Sequence, residues 1–219
     1  MRTILHLETA TKTCSVALSI NGKLIDVIEI HSDQYIHGEK LTSFIHEILL
    51  KNLISFDALS AVSISSGPGS YTGLRIGTAT AKGICFAKNI PLISIDTLQS
   101  FDTCAREFYP SENICIMLDA RRMEVYSTIF DSKRNPIKEL SADVLDELTY
   151  NEFEPFICLG DGADKCRDIW KERKIIFDDR IQLSAFGQVQ LAHNKFLNNE
   201  FADLAYFEPN YLKEFYSGK

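Results

Sequence analysis

Hydrophobic and polar positions along the first fifty residues predict three strands followed by a helix. The runs from Thr3 to Glu8 and from Cys14 to Ile20 are apolar enough for buried strands, and Asn21-Gly22 then favours a two-residue hairpin turn. A third strand is predicted from Lys23 to Ile30. From about Glu39 to Asn52 the apolar residues recur at helical spacing, which predicts an amphipathic helix.

A strand, a glycine-rich turn and a helix follow without a spacer. The strand is predicted from Ala61 to Ser65, the turn from Gly67 to Gly73, and the helix as far as Lys88. Another strand from Pro91 to Ile95 precedes a helix that starts near Thr97. The predicted order of elements is therefore βββαβαβα.

The residues of the turn suit a capped helix start. Gly67 and Gly69 can take positive φ, Pro68 stiffens the turn between them, and Ser70 or Thr72 can accept hydrogen bonds from the first free amides of the helix. Exposed N–H groups at the positive end of a helix favour an anion or the backbone of a partner. A capped helix start that binds nothing is the simpler alternative.

Two well-known glycine loops do not match this turn. A Walker-type loop needs Lys and then Ser or Thr after its last glycine, whereas Leu74-Arg75 follows Gly73. A dinucleotide fingerprint has two residues between its second and third glycines, but three lie between Gly69 and Gly73. Ser70 is interpreted as a helix cap rather than a nucleophile, because no histidine lies near it in the sequence.

The second half of the chain starts like the first. An acid at the end of a predicted strand, Glu8 or Asp119, precedes the next strand, at Cys14 or Val125, by six positions in both halves. This similarity favours a duplicated α/β fold with one lobe over residues 1–109 and a degenerate second lobe with a C-terminal tail over residues 110–219. Chance similarity of two short hairpins is the alternative.

Two further features of the second half carry weaker predictions. The strand from Phe156 to Leu159 runs into Gly160-Asp161-Gly162, after which a helix is predicted by analogy with the first half. At the hairpin tip, Arg121 and Arg122 could grip an anion together with Asp119, although a solvated tip explains the same charges.

Composition narrows the classes of function. The 219 residues carry a formal net charge of −7, with a pI near 5.3, so unaided binding to nucleic acid is not expected. No apolar run approaches the length of a membrane span, and Glu8 interrupts the N-terminal stretch before it could serve as a signal peptide. Six cysteines without a Cys-x-x-Cys pair favour a reducing compartment. We therefore expect a cytoplasmic protein with no membrane contact.

Three segments resemble the bacterial TsaB (YeaZ) family. The most specific is the block from Ser65 to Gly77, which contains the glycine-rich turn. The opening Leu7-Glu8-Thr9-Ala10-Thr11, with the strand from Cys14 to Leu18, and the ending from Glu208 to Lys213 are similar to the family as well. The resemblance extends over the whole chain and is strongest from Leu5 to Thr97.

The resemblance implies a fold and a function. The fold would be the duplicated actin, sugar-kinase and Hsp70-like (ribonuclease H-like) α/β fold. The function would be that of a non-catalytic subunit pairing with TsaD, which transfers the threonylcarbamoyl group to adenosine of tRNA. TsaC would supply threonylcarbamoyl-AMP, and the ATPase TsaE would join the assembly. Contact with tRNA would be indirect, no cofactor of its own is implied, and a nucleotide at the joint with the partner stays open.

The chain departs from catalytic relatives at two places. TsaD-type chains carry a His-x-x-x-His metal pair after the strand that follows the long helix, and Thr97 and Phe101 stand at those positions here. Active members of the superfamily place Asp at the end of the first strand, where this chain has Glu8. We therefore assign no catalytic residue and no metal ligand.

The resemblance also implies a partner-binding surface on the first two helices. Its exposed parts would lie within residues 39–52 and 71–88. The candidate residues are Glu39, Thr42, Ser43, His46, Gly69, Ser70, Tyr71, Thr72, Gly73, Arg75, Ile76, Gly77 and Thr80. Replacing Gly73 or Gly77 by Leu is expected to abolish pairing and leave the fold largely intact. Without its partner the same surface would pair two copies of the chain.

An independent enzyme of the same superfamily is the alternative function. A small-molecule kinase should show an Asp-x-Gly-Thr loop, and a metallopeptidase needs its metal ligands. The residues at Glu8, Thr97 and Phe101 argue against both.

Overall fold

The computed structural model describes residues 1–34 and 36–212. It divides into two compact units. Unit 1 comprises Met1–Cys104 and Gln182–Pro209, and unit 2 comprises Ala105–Ile181 with the described residues from Asn210 onward. The segment 182–209, which the sequence-based division gave to the second lobe, is therefore part of unit 1. Within the described residues, no helix is long and apolar enough to cross a membrane.

Unit 1 contains a mixed five-stranded sheet in the order β3-β2-β1-β4-β5. The two hairpin pairs are antiparallel, and β4 and β5 are parallel to β1. The strands are β1 (Thr3–Glu8), β2 (Thr13–Ile20), β3 (Lys23–His31), β4 (Ala61–Ser65) and β5 (Leu92–Ile95). Each predicted strand of this half is present within one residue of its expected ends.

Four α-helices are present among the described residues. They are α1 (His37–Lys51), α2 (Tyr71–Lys88), α3 (Thr97–Arg106) and α4 (Val189–Leu197). The first three confirm the predicted order βββαβαβα. The fourth lies beyond the predicted set and belongs to unit 1, with α4 packed beside β1 and β5.

The two faces of the unit 1 sheet bury different residues, because side chains alternate along each strand. Leu5 and Leu7 of β1 join the apolar core formed with α1 and α2. Ile4 joins a smaller core with Ala192 of α4. His6 and Glu8, which share the face of Ile4, are also fully buried. This alternation places two ionisable groups inside the α4 side of the unit.

Unit 2 repeats the topology with a sheet in the order β10-β9-β6-β7-β8. The strands are β6 (Ile114–Asp119), β7 (Glu124–Phe130), β8 (Pro136–Val144), β9 (Phe156–Leu159) and β10 (Ile175–Phe177). In both sheets the first strand is central, flanked by an antiparallel hairpin on one side and two parallel strands on the other. The predicted duplication is confirmed by this shared strand order.

Unit 1 has the helices α1 and α2 before and after β4. Within its described residues, unit 2 has 3₁₀ turns at the corresponding positions before and after β9. A 3₁₀ turn, Asn151–Phe153, precedes β9, and another, Ala163–Cys166, follows it. The helix predicted after Gly160-Asp161-Gly162 is therefore wrong. Trp170 is fully buried beside Tyr150 and Phe156 and fills the space on this side of the sheet.

Candidate functional site

The glycine-rich turn holds the loop between β1 and β2 of the same chain. The Ser70 amide donates a 2.6 Å hydrogen bond to the Ala10 carbonyl. A Cβ atom added to Gly69 would lie 2.4 Å from that carbonyl oxygen, which explains the absence of a side chain there. The Ser70 amide therefore binds the chain's own loop, where the sequence favoured an anion or the backbone of a partner.

Gly73 and Gly77 of α2 face the same loop. A Cβ on Gly73 would lie 2.1 Å from the Thr9 carbonyl oxygen, and one on Gly77 would lie 2.3 Å from Thr9 Oγ1 and 2.8 Å from Ile64 Cδ1. Both glycines are buried. Their placement on the partner surface is therefore corrected, and so is the expectation that Leu at either position would leave the fold intact.

Ser70 caps α2 as predicted. Its Oγ accepts a 3.2 Å hydrogen bond from the Gly73 amide. The left-handed φ of 102° at Gly67 also agrees with the role assigned to that glycine. Thr72 is exposed on the first turn of α2.

A buried carboxyl group ends the first strand. Glu8 is fully buried, and its Oε1 accepts a 2.8 Å hydrogen bond from the Ala10 amide. Its Oε2 accepts from Ser65 Oγ and, at 3.3 Å, from Gln188 Nε2. Burial raises the pKa of the Glu8 carboxyl, and the hydrogen bonds from Ser65, Ala10 and Gln188 oppose that rise.

Gln188 reaches this position from the turn that precedes α4. Its Nε2 donates 2.7 Å and 3.2 Å hydrogen bonds to the Leu7 carbonyl and to Ser65 Oγ. Its Oε1 accepts a 2.7 Å hydrogen bond from Ser63 Oγ. The side chain is fully buried, so one amide ties the ends of β1 and β4 together.

The network continues to His6. The ring nitrogens lie 2.7 Å from Ser63 Oγ and 2.7 Å from Ser19 Oγ. Burial lowers the pKa of the imidazole to about 3, so His6 is neutral at physiological pH. It is a structural group within the sheet.

The residues at the positions where TsaD-type chains carry their His pair do not fit a metal ion. Thr97 is fully buried, and its Oγ1 accepts a 3.1 Å hydrogen bond from the Gly67 amide. Phe101 is a buried core residue. Neither offers a metal-binding nitrogen. Over residues 1–34 and 36–212, no group of three or more His, Cys, Asp and Glu side chains is arranged to hold a metal ion.

The candidate partner residues of α1 lie on its outer face. Glu39, Thr42, Ser43 and His46 are all exposed. Gly38, in the first turn of α1, lies beside Ile76 of α2, so the two helices present neighbouring outer surfaces. The described part of α1 thus offers a polar surface with Leu50 at its far end, 66% exposed.

The candidate residues of α2 are divided between its outer face and its flanks. Thr72 and Arg75 are exposed, and the Arg75 guanidinium lies 4.3 Å from the centre of the Tyr71 ring. The residues of intermediate exposure are Gly69 and Ser70, in the turn before α2, and Tyr71, Ile76 and Thr80 of the helix. We call the exposed surface of both helices the outer face of α1 and α2. The exposed residues on it include Glu39, Thr42, Ser43, His46, Leu50, Thr72 and Arg75.

Three residues on the outer face of α2 were not among the sequence-based candidates. Ala79, Gly83 and Phe86 follow Thr72 and Arg75 at helical spacing, and Phe86 is 83% exposed. No atom lies within 4 Å of a Cβ built on Gly83. The sequence shows only that Gly83 is a glycine in mid-helix, which is unfavourable for helix formation, whereas the structure shows that no neighbour requires it.

The fold is a duplicated α/β fold, in which two units each contain a five-stranded mixed sheet of the same strand order. The sequence model of the family described as "TsaD: tRNA N6-adenosine threonylcarbamoyltransferase" matches residues 32–214. The chain belongs to this family, and its relatives confirm the resemblance to TsaB (YeaZ) proteins.

Several curated relatives carry the description "tRNA threonylcarbamoyladenosine biosynthesis protein TsaB". The Escherichia coli protein is 26% identical over 96% of this chain and 94% of its own length. The Haemophilus influenzae protein is 36% identical over 57% of this chain, and the match spans 52% of that relative. The alignment thus covers about half of one relative and nearly all of the other.

A solved structure described as "YeaZ from Pseudomonas aeruginosa" shares the fold. It superposes with a TM-score of 0.80 over 97% of this chain and 100% of that chain, at 21% identity. The predicted fold class is confirmed by this similarity.

Proposed function

We propose that this chain is a non-catalytic subunit that pairs with a TsaD-type paralogue and supports threonylcarbamoyl transfer to adenosine of tRNA. The names of its relatives support a role in threonylcarbamoyladenosine biosynthesis. The division of labour between the two subunits is our inference from the chemistry of the site.

The observation that carries the proposal is the burial of Glu8 under Gln188. In active members of the superfamily the acid at the end of the first strand handles the metal of a nucleotide. Here that carboxyl group is enclosed by Ser65, Gln188 and the Ala10 amide. A carboxyl group whose oxygens are all engaged by its own chain is unavailable to a metal ion, which favours a structural role.

The outer face of α1 and α2 supports pairing through these helices. Gly83 has open space where a side chain would stand, and Ala79 lies one turn away. Small residues let a second helix approach closely, and exposed apolar groups at Leu50 and Phe86 add area that a partner can bury. A second copy of the chain would use the same face when the paralogue is absent.

The charge of the chain supports indirect contact with tRNA. A net charge of −7 repels the phosphate backbone, so RNA binding is assigned to other subunits of the assembly. The ATPase of the TsaE type would join through the complex.

The proposal is tested with the purified chain and the TsaD-type subunit of the same organism. We expect wild type to form a heterodimer in analytical ultracentrifugation and to raise tRNA modification. Gly83→Leu should weaken association at least tenfold at a Tm equal to or above that of wild type, because the leucine protrudes from the outer face and favours the helix more than glycine does. Gly83→Ala, which adds one methyl group, is the matched control and should stay within about threefold of wild type.

Two results would contradict the proposal. One is full modification activity of the TsaD-type subunit without this chain. The other is wild-type association by Gly83→Leu, which would remove α2 from the interface.

A further inference from the structure

The turn between β6 and β7 holds two consecutive arginines in the left-handed region. Arg121 has φ of 72° and Arg122 has φ of 49°, and both are exposed. Side chains rarely adopt this conformation, which favours Gly and Asn. The turn is closed by hydrogen bonds between Ala120 and Glu124 and between Glu124 and Arg121.

The hairpin between β2 and β3 of unit 1 also has two consecutive residues with positive φ, but it uses different residues there. The β2–β3 hairpin uses Asn21-Gly22, with φ of 50° and 77°, the residue pair best suited to such a turn. Asn-Gly would therefore serve the β6–β7 turn better than Arg-Arg if the turn only connected strands. Two exposed arginines kept in a strained backbone conformation suggest that their side chains have a function.

The guanidinium groups of Arg121 and Arg122 are exposed and can bind a ligand. Within the part of the chain that the structure describes, neither donates a hydrogen bond. The nearby carboxylate of Asp119 is already engaged: it accepts 2.5 Å from the Arg121 amide and 2.7 Å from Lys165 Nζ. The Asp119–Lys165 ion pair thus lies at the base of the turn, and the side chains of Arg121 and Arg122 are exposed.

An apolar groove begins at the next residue. It has a volume of about 420 Å³ and is lined by Met123, Leu145, Leu148 and Ile169, with Asp146 and Glu147 beside them. The Leu145 amide donates 2.8 Å to the Met123 carbonyl, which joins the end of the turn to the groove. Leu148 is 70% exposed and Met123 is 41% exposed.

We propose that the Arg121-Arg122 turn and this groove form one docking site for a segment of a partner protein. The segment would carry a carboxylate, held by the two guanidinium groups, next to an apolar side chain that fills the groove. The inference rests on the proposed function, since the partner would be another subunit of the same assembly.

Charge complementarity favours a protein segment over RNA. The two arginines form a small positive site on a turn that Glu124 closes and whose base holds Asp119, where the Asp119 amide donates a 2.9 Å hydrogen bond to Asp161 Oδ1, in a chain of net charge −7. A single carboxylate fits such a site, whereas an RNA backbone would meet the neighbouring acids. The apolar groove favours a protein segment as well, because an apolar side chain can fill the groove and a charged phosphate backbone cannot.

The test compares three variants with wild type, using the purified TsaD-type and ATPase subunits of the same organism as probes. Arg121→Asn/Arg122→Gly installs the residues of the other hairpin and removes two charges. Leu148→Glu places a charge at the groove. Lys133→Asn/Arg134→Gly is the matched control: it removes two charges from the neighbouring hairpin, where Arg134 also has a left-handed φ of 67°.

We expect the arginine variant to have an equal or higher Tm and at least tenfold weaker association with one of the two subunits or with their complex. Leu148→Glu should weaken the same association, and the control should stay within twofold of wild type. A turn that only connects strands would not lose binding while gaining stability.

Several results would overturn the docking site. These are wild-type association by the arginine variant, a loss shared equally by the control, and wild-type binding by Leu148→Glu, which would leave a bare anion contact without a groove. If Gly83→Leu fails to pair while the arginine variant is normal, the docking site fails and the proposed function stands. If wild type binds neither subunit, both proposals fail.

Discussion

The Nε2 atom of Gln188 donates a 2.7 Å hydrogen bond to the carbonyl oxygen of Leu7, 181 positions earlier in the chain. The same amide group meets Ser63, Ser65 and Glu8. A segment from beyond unit 2 thereby completes the polar interior of unit 1. The end of the first strand depends on this late segment for its hydrogen bonds.

Replacing Gln188 should destabilise the protein strongly. Gln188→Leu leaves the Leu7 carbonyl and Ser63 Oγ with fewer buried partners, and an unsatisfied buried group costs about 1–3 kcal/mol. We expect the free energy of unfolding, measured with urea, to fall by about 2–4 kcal/mol. Gln190→Leu, on the exposed side of α4, is the control and should change it by less than about 0.5 kcal/mol. Equal stability of the two variants would contradict the importance of the network.

The glycines of α2 should respond oppositely to the same substitution. Gly77→Ala forces its new methyl group against Thr9 Oγ1 and Ile64 Cδ1, and overpacking of this kind costs about 1–3 kcal/mol. Gly83→Ala meets no neighbour and gains helix propensity of about 0.5–1 kcal/mol. Chemical denaturation of both variants measures the difference. A stabilising Gly77→Ala would show that the loop from β1 to β2 can move away from α2.

Stability should depend on pH through His6. The imidazole has a pKa of about 3 in the fold against 6.5 when exposed, so between these values the unfolded chain binds the extra proton. The His6 contribution is therefore complete above pH 6.5 and is lost as the pH falls towards 3. The loss approaches about 1.4 kcal/mol per pH unit in this window.

Glu8 acts in the opposite direction and has to be separated from His6. Because its pKa is raised in the fold, its contribution is complete below 4.5 and is lost as the pH rises through the folded value. The difference in unfolding free energy between wild type and His6→Gln isolates the histidine. We expect wild type to lose stability relative to His6→Gln when urea titrations are moved from pH 7 to pH 5. A constant difference would show that His6 is not held neutral.

Local patterns in the sequence predicted most of unit 1. Asn21-Gly22 predicted the hairpin, the apolar run of β1 predicted a buried strand, and the Ser70 cap predicted the start of α2. These features depend on neighbours within a few residues. The helix after Gly162 was mispredicted because a glycine turn alone does not supply an apolar face long enough to pack, and Trp170 fills that space instead.

By itself the sequence determined the order of elements along the first lobe, the capped glycine turn and the absence of an imidazole pair at Thr97 and Phe101, because all of these follow from residues close together in the chain. Only the tertiary structure decided that Gly73 and Gly77 face Thr9 rather than a partner, that Gly83 lies open, and that Gln188 closes over Glu8. The reason is that the direction of a helix face, and the meeting of residues 180 positions apart, are set by packing of the whole unit.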